Sequence, residues 1–234
     1  MSHVIIIGGG AAGMMAAIAA AGAGHKVCIY EKNEKLGKKI YITGKGRCNV
    51  TNACDTEELF RNVVHNAKFL YSSFYTFTNT DVMDLIEKHG CLLKTERGGR
   101  VFPVSDKSSD VIHALTVALR ELGVEVELHE EVSGVLAEDG HVSGVCLKRG
   151  QKVVPADAVI VTTGGLSYPS TGSTGDGYRF ATELGHTITE LSPALVPFEA
   201  KEAVCKDLQG LSLRNISVQI RNGKKVLYEE FGEM

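Results

Sequence analysis

The stretch VIIIGGGAAGMMAAIAAAGAG, residues 4–24, constrains the fold more than any other, because no charged side chain interrupts it between His3 and Lys26. A membrane span needs about 20 predominantly apolar residues and does not carry Gly8, Gly9, Gly10 and Gly13 near its start. A secretion signal wants a basic leader and a small-residue cleavage site, whereas here the apolar β-branched run begins almost at Met1. What remains is a short buried strand (Val4 to Ile7), a glycine turn and an alanine-rich helix (Ala11 to Ala21) that ends at Gly22 or Gly24. That is the first half of a βαβ unit.

In Gly8-x-Gly10-x-x-Gly13 the first glycine permits the tight strand-to-helix turn, the second lets backbone approach a pyrophosphate, and the third lets helix and strand pack closely. The helix N-terminus supplies free N–H groups and a positive dipole end for phosphates. A lone glycine motif is weak, so the residues after the helix decide. Lys26 to Tyr30 reads as a second strand, and Glu31 stands at its end, about 20 residues past the turn, where a carboxylate accepts hydrogen bonds from a ribose and repels a 2′-phosphate. Ala17 and Gly24 complete the fingerprint. The expectation is a dinucleotide site rather than a chance turn before a core helix.

With 234 residues, 44% hydrophobic and 23% charged, the makeup is that of an ordinary soluble globular protein. The formal charge of -3 and the scattered Lys and Arg argue against a nucleic-acid partner. The densest basic group, Lys32, Lys35, Lys38 and Lys39, reads as a solvated loop after a strand. Cys28, Cys48, Cys54, Cys91, Cys146 and Cys205 include no pair at zinc-knuckle or dithiol spacing and read as reduced cytosolic thiols. The 8 His are equally dispersed, so no metal site is expected.

The fingerprint does not distinguish NAD from FAD, since both present an ADP moiety. Residues 35–52 form a long polar, glycine-bearing segment without helical or strand period, where a nicotinamide domain would continue its strand–helix alternation. A helix from Asp110 to Leu122, capped near Ser108 or Ser109, leads to a strand at Gly123 to Leu128. Strands at Val132 to Ala137 and Val142 to Leu147 flank the turn Glu138-Asp139-Gly140-His141. Ala156 to Val161 is an apolar strand that runs into Thr162-Thr163-Gly164-Gly165. A βαβ start, a three-strand antiparallel excursion and a return strand ending in Thr-Gly-Gly give an α/β, Rossmann-like two-dinucleotide-binding-domain FAD fold.

Several stretches carry a specific resemblance: Gly44-Lys-Gly-Arg-Cys-Asn-Val-Thr-Asn52, Arg100-Val-Phe-Pro103, Thr163-Gly-Gly-Leu-Ser-Tyr-Pro169, Thr171-Gly-Ser-Thr-Gly-Asp-Gly-Tyr178, Gly185-His186 and Pro193-Ala-Leu-Val-Pro197. The chain resembles, over essentially its whole length, the HI0933-like flavoprotein family, also called the BaiN or aminoacetone-oxidase-like FAD proteins. A more distant similarity runs to the fumarate reductase flavoprotein subunit. The resemblance implies a non-covalent FAD, with Gly8, Gly10, Ala12 and Gly13 at the pyrophosphate, Glu31 on the adenosine ribose and Val132 near the adenine. It further implies Arg47, Cys48 and Asn49 near the ribityl or isoalloxazine part, and Thr163, Gly164 and Gly165 closing over the cofactor. The expected cofactor-binding set is completed by Ala11, Lys32 and Asp176.

By the residues alone, Arg47 either braces its loop or answers phosphate or reduced-flavin charge, and the cofactor role is favoured. Cys48 reads as a structural thiol. Asp176 reads equally as the N-cap of a helix from Tyr178 to Leu184 and as a cofactor contact. His186 reads as a packing or dipole partner at that helix's end. No catalytic residue is assigned, because a flavin carries hydride chemistry itself.

From Ala194 the character changes. Ala194 to Phe198 reads as a short strand, Ser212 to Arg221 alternates, and Asn222-Gly223 signals a hairpin into Lys224 to Glu229. The expected organisation is an FAD-binding domain over residues 1–193 and the beginning of an inserted β-rich substrate domain over 194–234. Since relatives by resemblance run on through that domain, a truncated or split form is expected. The function expected is that of a cytoplasmic FAD-dependent oxidoreductase. Hydride would pass between an unidentified small substrate and flavin N5, with oxygen, NAD(P)H or another partner completing the cycle. The rivals are an NAD-dependent dehydrogenase and a non-catalytic flavin-binding module.

Overall fold

Strand β1 (His3–Ile7) is buried from Val4 to Ile7, and burial on both faces explains an apolar run without polar alternation. The chain turns at Gly8 into α1 (Ala11–Gly22). Gly24, at φ 86°, closes that helix: its N–H donates to Ala21 O, and His25 N–H donates to Ala20 O. β2 (Lys26–Glu31) then lies parallel to β1, with Ile5 opposite Cys28 and Ile7 opposite Tyr30. The expected βαβ start is in place.

The computed structural model describes residues 1–193, 199–213 and 215–232, and the chain divides into two units, Met1–Ile188 and Thr189–Met234. In the first unit β2 is followed by 3-10 turns over Ile40–Gly46, then β3 (Thr51–Asn52), α2 (Thr56–Arg61), α3 (Tyr71–Thr76), α4 (Asn79–Lys88), β4 (Leu93–Thr95) and β5 (Arg100–Pro103). Strands β3, β5 and β4 form a small sheet in that order. Next come α5 (Ser108–Glu121), β6 (Glu125–Leu128), β7 (Val132–Glu138), β8 (His141–Leu147), β9 (Val153–Pro155), β10 (Ala158–Val161) and α6 (Asp176–Glu183). The parallel sheet has the order β10-β1-β2-β6, and β7-β8-β9 is the antiparallel excursion.

Alternation along β1 fixes the layers. Val4 and Ile6 pack with Met14 and Ala17 of α1 and Val111 and Leu115 of α5. Ile5 and Ile7 point the other way, to Val132, Val145, Leu147 and Phe180. Helices thus cover one face, and the excursion with α6 covers the other. Each large side chain buried in these layers stabilises the fold by about 1.5–3 kcal/mol.

Three local readings are corrected. The α5 N-cap is Lys107, without a side-chain cap; Ser108 is already helical, and its Oγ donates instead to Tyr41 O at 3.3 Å. The third strand of the excursion is β9, which three residues were too few to announce. Residues 35–52 are irregular but not featureless: Gly37 N–H donates to Gly9 O at 2.8 Å, which lays this segment back over the glycine turn. The Asp139-Gly140 turn between β7 and β8 has φ of 49° and 79°, as a two-residue hairpin requires.

The second unit holds α7 (Val204–Asp207) and a hairpin of β11 (Ile216–Asn222) and β12 (Lys225–Gly232). Asn222 pairs with Lys225, so the turn is Gly223-Lys224, one residue later than expected. Gly223, at φ 58°, takes the first turn position, which a positive φ reserves for such a residue. The expected strand at residues 194–198 lies outside the described residues. Among the described residues no helix is long and apolar enough to cross a membrane, and no cluster of His, Cys, Asp and Glu is arranged for a metal.

Candidate functional site

Where β1 and β10 end, a cleft of about 380 Å³ opens between the glycine turn, the end of β2, the start of β7 and residues 161–176. Ligands of open parallel sheets gather at such carboxyl edges.

The glycine turn forms one wall. A Cβ on Gly8, at φ 106°, would approach Thr162 O to 2.7 Å, and one on Gly13 would collide with Gly8 O. Packing therefore demands both glycines. Gly10 differs, since a Cβ there would meet nothing within 4 Å. It precedes α1 without a side-chain cap, and the first-turn amides of Ala11, Ala12 and Gly13 have no intrahelical acceptor. With Ala11 and Ala12 on the cleft and open space at Gly10, this is a donor cradle at a positive helix end. The residues present fit a diphosphate.

Glu31, only 7% exposed, pins the turn to the end of β2. Its Oε2 accepts from Gly9 N at 2.7 Å, and its Oε1 accepts from Asn33 N at 2.8 Å and Asn33 Nδ2 at 2.6 Å. A carboxylate offers about four lone-pair sites, so room remains for a hydroxyl donor from the cleft. Val132, Ile7 and Phe180 supply an apolar wall.

The lysines after β2 do not form the expected solvated loop. Lys32, Lys38 and Lys39 all line the cleft. Lys32 Nζ donates to Thr174 Oγ1 and Asp176 Oδ2, each at 2.7 Å. Lys39 Nζ donates to Ser167 O at 2.8 Å and Ser173 Oγ at 2.7 Å. Lys38 Nζ donates to Asn33 Oδ1 at 3.2 Å and Glu34 Oε2 at 3.1 Å. Only Lys35 lies outside, over the Tyr41 ring.

Asp176 is not an N-cap, because Gly175 at φ 84° holds that position and Asp176 is the first residue of α6. Burial pushes its carboxyl up, but hydrogen bonds from Lys32 and Thr174, with the charges of Lys32 and Arg179, outweigh this and hold it below the usual aspartate value. The first-turn α6 amide of Gly177 is satisfied by Thr163 Oγ1 at 3.0 Å, so the Thr-Gly-Gly turn caps the helix.

Of the expected cofactor residues, the cleft brings together Gly8, Gly10, Ala11, Ala12, Glu31, Lys32, Val132, Thr163, Gly164 and Asp176. Gly13 and Gly165 are not in that lining. Arg47, Cys48 and Asn49 are not part of it either. The Arg47 guanidinium pairs with Glu96 and with Asp106 (2.7 Å) and lies 4.2 Å from the centre of the Phe102 ring. Hydrogen bonding from Arg47 in turn holds the Glu96 carboxyl below its ordinary value. Cys48 is buried, which pushes its thiol up despite a hydrogen bond with Thr43. The Asn49 amide nitrogen, in its satisfied orientation, donates to Thr51 O at 2.9 Å and Val101 O at 3.2 Å. Sequence reasoning missed Asn33, Lys38, Lys39 and Ser173. The available signal was a run of polar residues immediately after the strand that ends in Glu31.

Comparison with known proteins shows the family and the fold. The profile described as the HI0933-like protein Rossmann domain matches residues 2–228. The chain is 34% identical over 238 residues to a 3-dehydro-bile acid delta(4,6)-reductase of Clostridium scindens, covering 100% of this chain and 56% of that protein. It is 31% identical over 208 residues to a ribosomal RNA dihydrouridine synthase of Escherichia coli, covering 89% of this chain and 50% of that protein. The chain thus spans about half the length of the curated relatives it matches. Among solved structures, the open conformation of a flavocytochrome c3 fumarate reductase shares the fold, with a TM-score of 0.55 and 23% identity over 79% of this chain and 40% of that one.

Proposed function

The chain belongs to the HI0933-like family, and on that premise we propose that it is an FAD-dependent oxidoreductase acting on a small substrate. The observation that carries this reading is the cradle at the start of α1: free amides, an open Gly10 and Glu31 at the end of β2, all on one cleft. FAD, when bound, supplies hydride transfer through its N5 position. The protein's own part is to hold the ADP moiety. The amides of Ala11 and Ala12 face the diphosphate, the spare lone pair of Glu31 accepts from the adenosine ribose, and Val132 packs by the adenine.

Two relatives carry names that describe adding hydrogen, a reductase and a dihydrouridine synthase, which favours the reductive direction with a second donor such as NAD(P)H. A small substrate is preferred to RNA here because the net charge is -3 and three lysines of the densest basic group, Lys32, Lys38 and Lys39, line the cleft. The test is the visible absorbance of the purified chain, before and after added FAD, with chromatography of what heat releases. Flavin absorbance and released FAD support the reading. A colourless protein that takes up NAD but not FAD replaces it with a nicotinamide-dependent dehydrogenase.

A further inference from the structure

The segment 166–175 lines the cleft through Thr171, Gly172 and Ser173 and has no regular structure beyond a 3-10 turn at Pro169–Thr171. Among the described residues, every hydrogen bond it makes beyond its own neighbours ends on Lys32, Asn33 or Lys39. These three belong to the stretch just after β2, more than a hundred residues earlier in the chain. Lys32 is neutralised by Asp176 at 2.7 Å. Lys39 is not: its two partners are the neutral Ser167 carbonyl and Ser173 hydroxyl, and among the described residues it forms no ion pair. Ser173 is itself only 6% exposed. An ammonium has three donors, so Lys39, which lines the cleft, keeps one N–H and an unbalanced charge for a ligand.

We propose that Lys39 couples the ligand to the loop, holding segment 166–175 through Ser167 and Ser173 while its remaining N–H and charge meet the diphosphate of the dinucleotide. The inference rests on the dinucleotide reading above. Binding of the anion and ordering of the loop are then one event, because both use the same ammonium group, and a diphosphate that fixes Lys39 also fixes the peptide around Gly164. A Cβ on Gly164 would sit 2.5 Å from Ser173 Oγ, so the Ser173 side chain packs directly against this peptide.

The test combines hydrogen exchange of segment 166–175 with calorimetric titration of ADP, on the 234-residue chain and on Lys39→Met, Lys39→Arg and Ser173→Ala. In Lys39→Met the loop amides are expected to exchange faster, ADP to bind about tenfold more weakly, as loss of a charge-assisted hydrogen bond implies, and ADP no longer to slow loop exchange. Lys39→Arg keeps the charge and restores most of the affinity. Ser173→Ala loosens the loop but leaves ADP affinity within about threefold, since the ammonium stays; it carries the test if Lys39→Met does not fold. Wild-type loop exchange or wild-type ADP affinity in Lys39→Met overturns the proposal. A wild-type chain that takes up no ADP overturns the dinucleotide reading and the anion half of this one, while exchange in Lys39→Met still decides whether the lysine holds the loop.

Discussion

Two glycine-bearing segments of the chain look equally like motifs, and the structure uses them differently. The turn at residues 8–13 places its backbone on the cleft and is held from behind by Thr162 and Glu31. In the segment 44–52 Arg47 turns toward Glu96, Asp106 and Phe102, which ties the segment to the small sheet of β3, β5 and β4. A motif whose requirement lies in the backbone has one solution, because only a residue without Cβ fits. A motif that depends on where a long side chain points has several, and acids 49 and 59 positions away decide among them.

The largest expected effect breaks the first segment from inside. Gly13→Val drives side-chain atoms into Gly8 O and is expected to cost about 3 kcal/mol or more, read from the urea midpoint. Gly10→Ala separates fold from function. Its φ of -78° suits alanine and its Cβ has open space, so the melting temperature should stay near wild type while ADP affinity falls about tenfold through steric exclusion. A variant that melts early and binds normally would remove Gly10 from the cradle.

The second segment predicts the reverse. Arg47→Met removes ion pairs whose members are 29–44% exposed in their side chains, so a stability loss of about 1 kcal/mol or less is expected, smaller still in high salt. ADP affinity should not change; a tenfold loss would return Arg47 to the ligand. The smallest effect is that of Asp176. Its folded carboxyl lies below the ordinary value, so the stabilisation it gives is fully present above the unfolded aspartate pKa of about 3.9 and is lost only as pH falls through the lower folded value. Loop exchange measured between pH 7 and pH 5 should therefore show no step from this pair, and a step there would contradict the assignment.

The same contrast explains what the sequence made legible. β1, α1, β2 and the Glu31 position follow from periodicity and from glycines that packing enforces, β7 and β8 follow from the strand pattern around Asp139-Gly140, and the return strand follows from an apolar run that ends in Thr-Gly-Gly. Lys39 was not legible, because a lysine after a strand is solvated unless a distant acceptor claims it, and Ser173 is 134 residues away. Ser108 misled for the opposite reason: a good capping residue stands next to the helix start, but its hydroxyl is claimed by Tyr41 O. Asp176 is the same case, since the left-handed Gly175 takes the cap and frees the carboxylate for Lys32.

Whether the cradle before α1 receives the diphosphate of a flavin dinucleotide is decided by competitive calorimetry with ADP, FAD and riboflavin on the wild-type chain. ADP and FAD are expected to bind at one shared site and displace each other, with riboflavin, which lacks the diphosphate, failing to compete. Riboflavin binding in the absence of any ADP binding would contradict it.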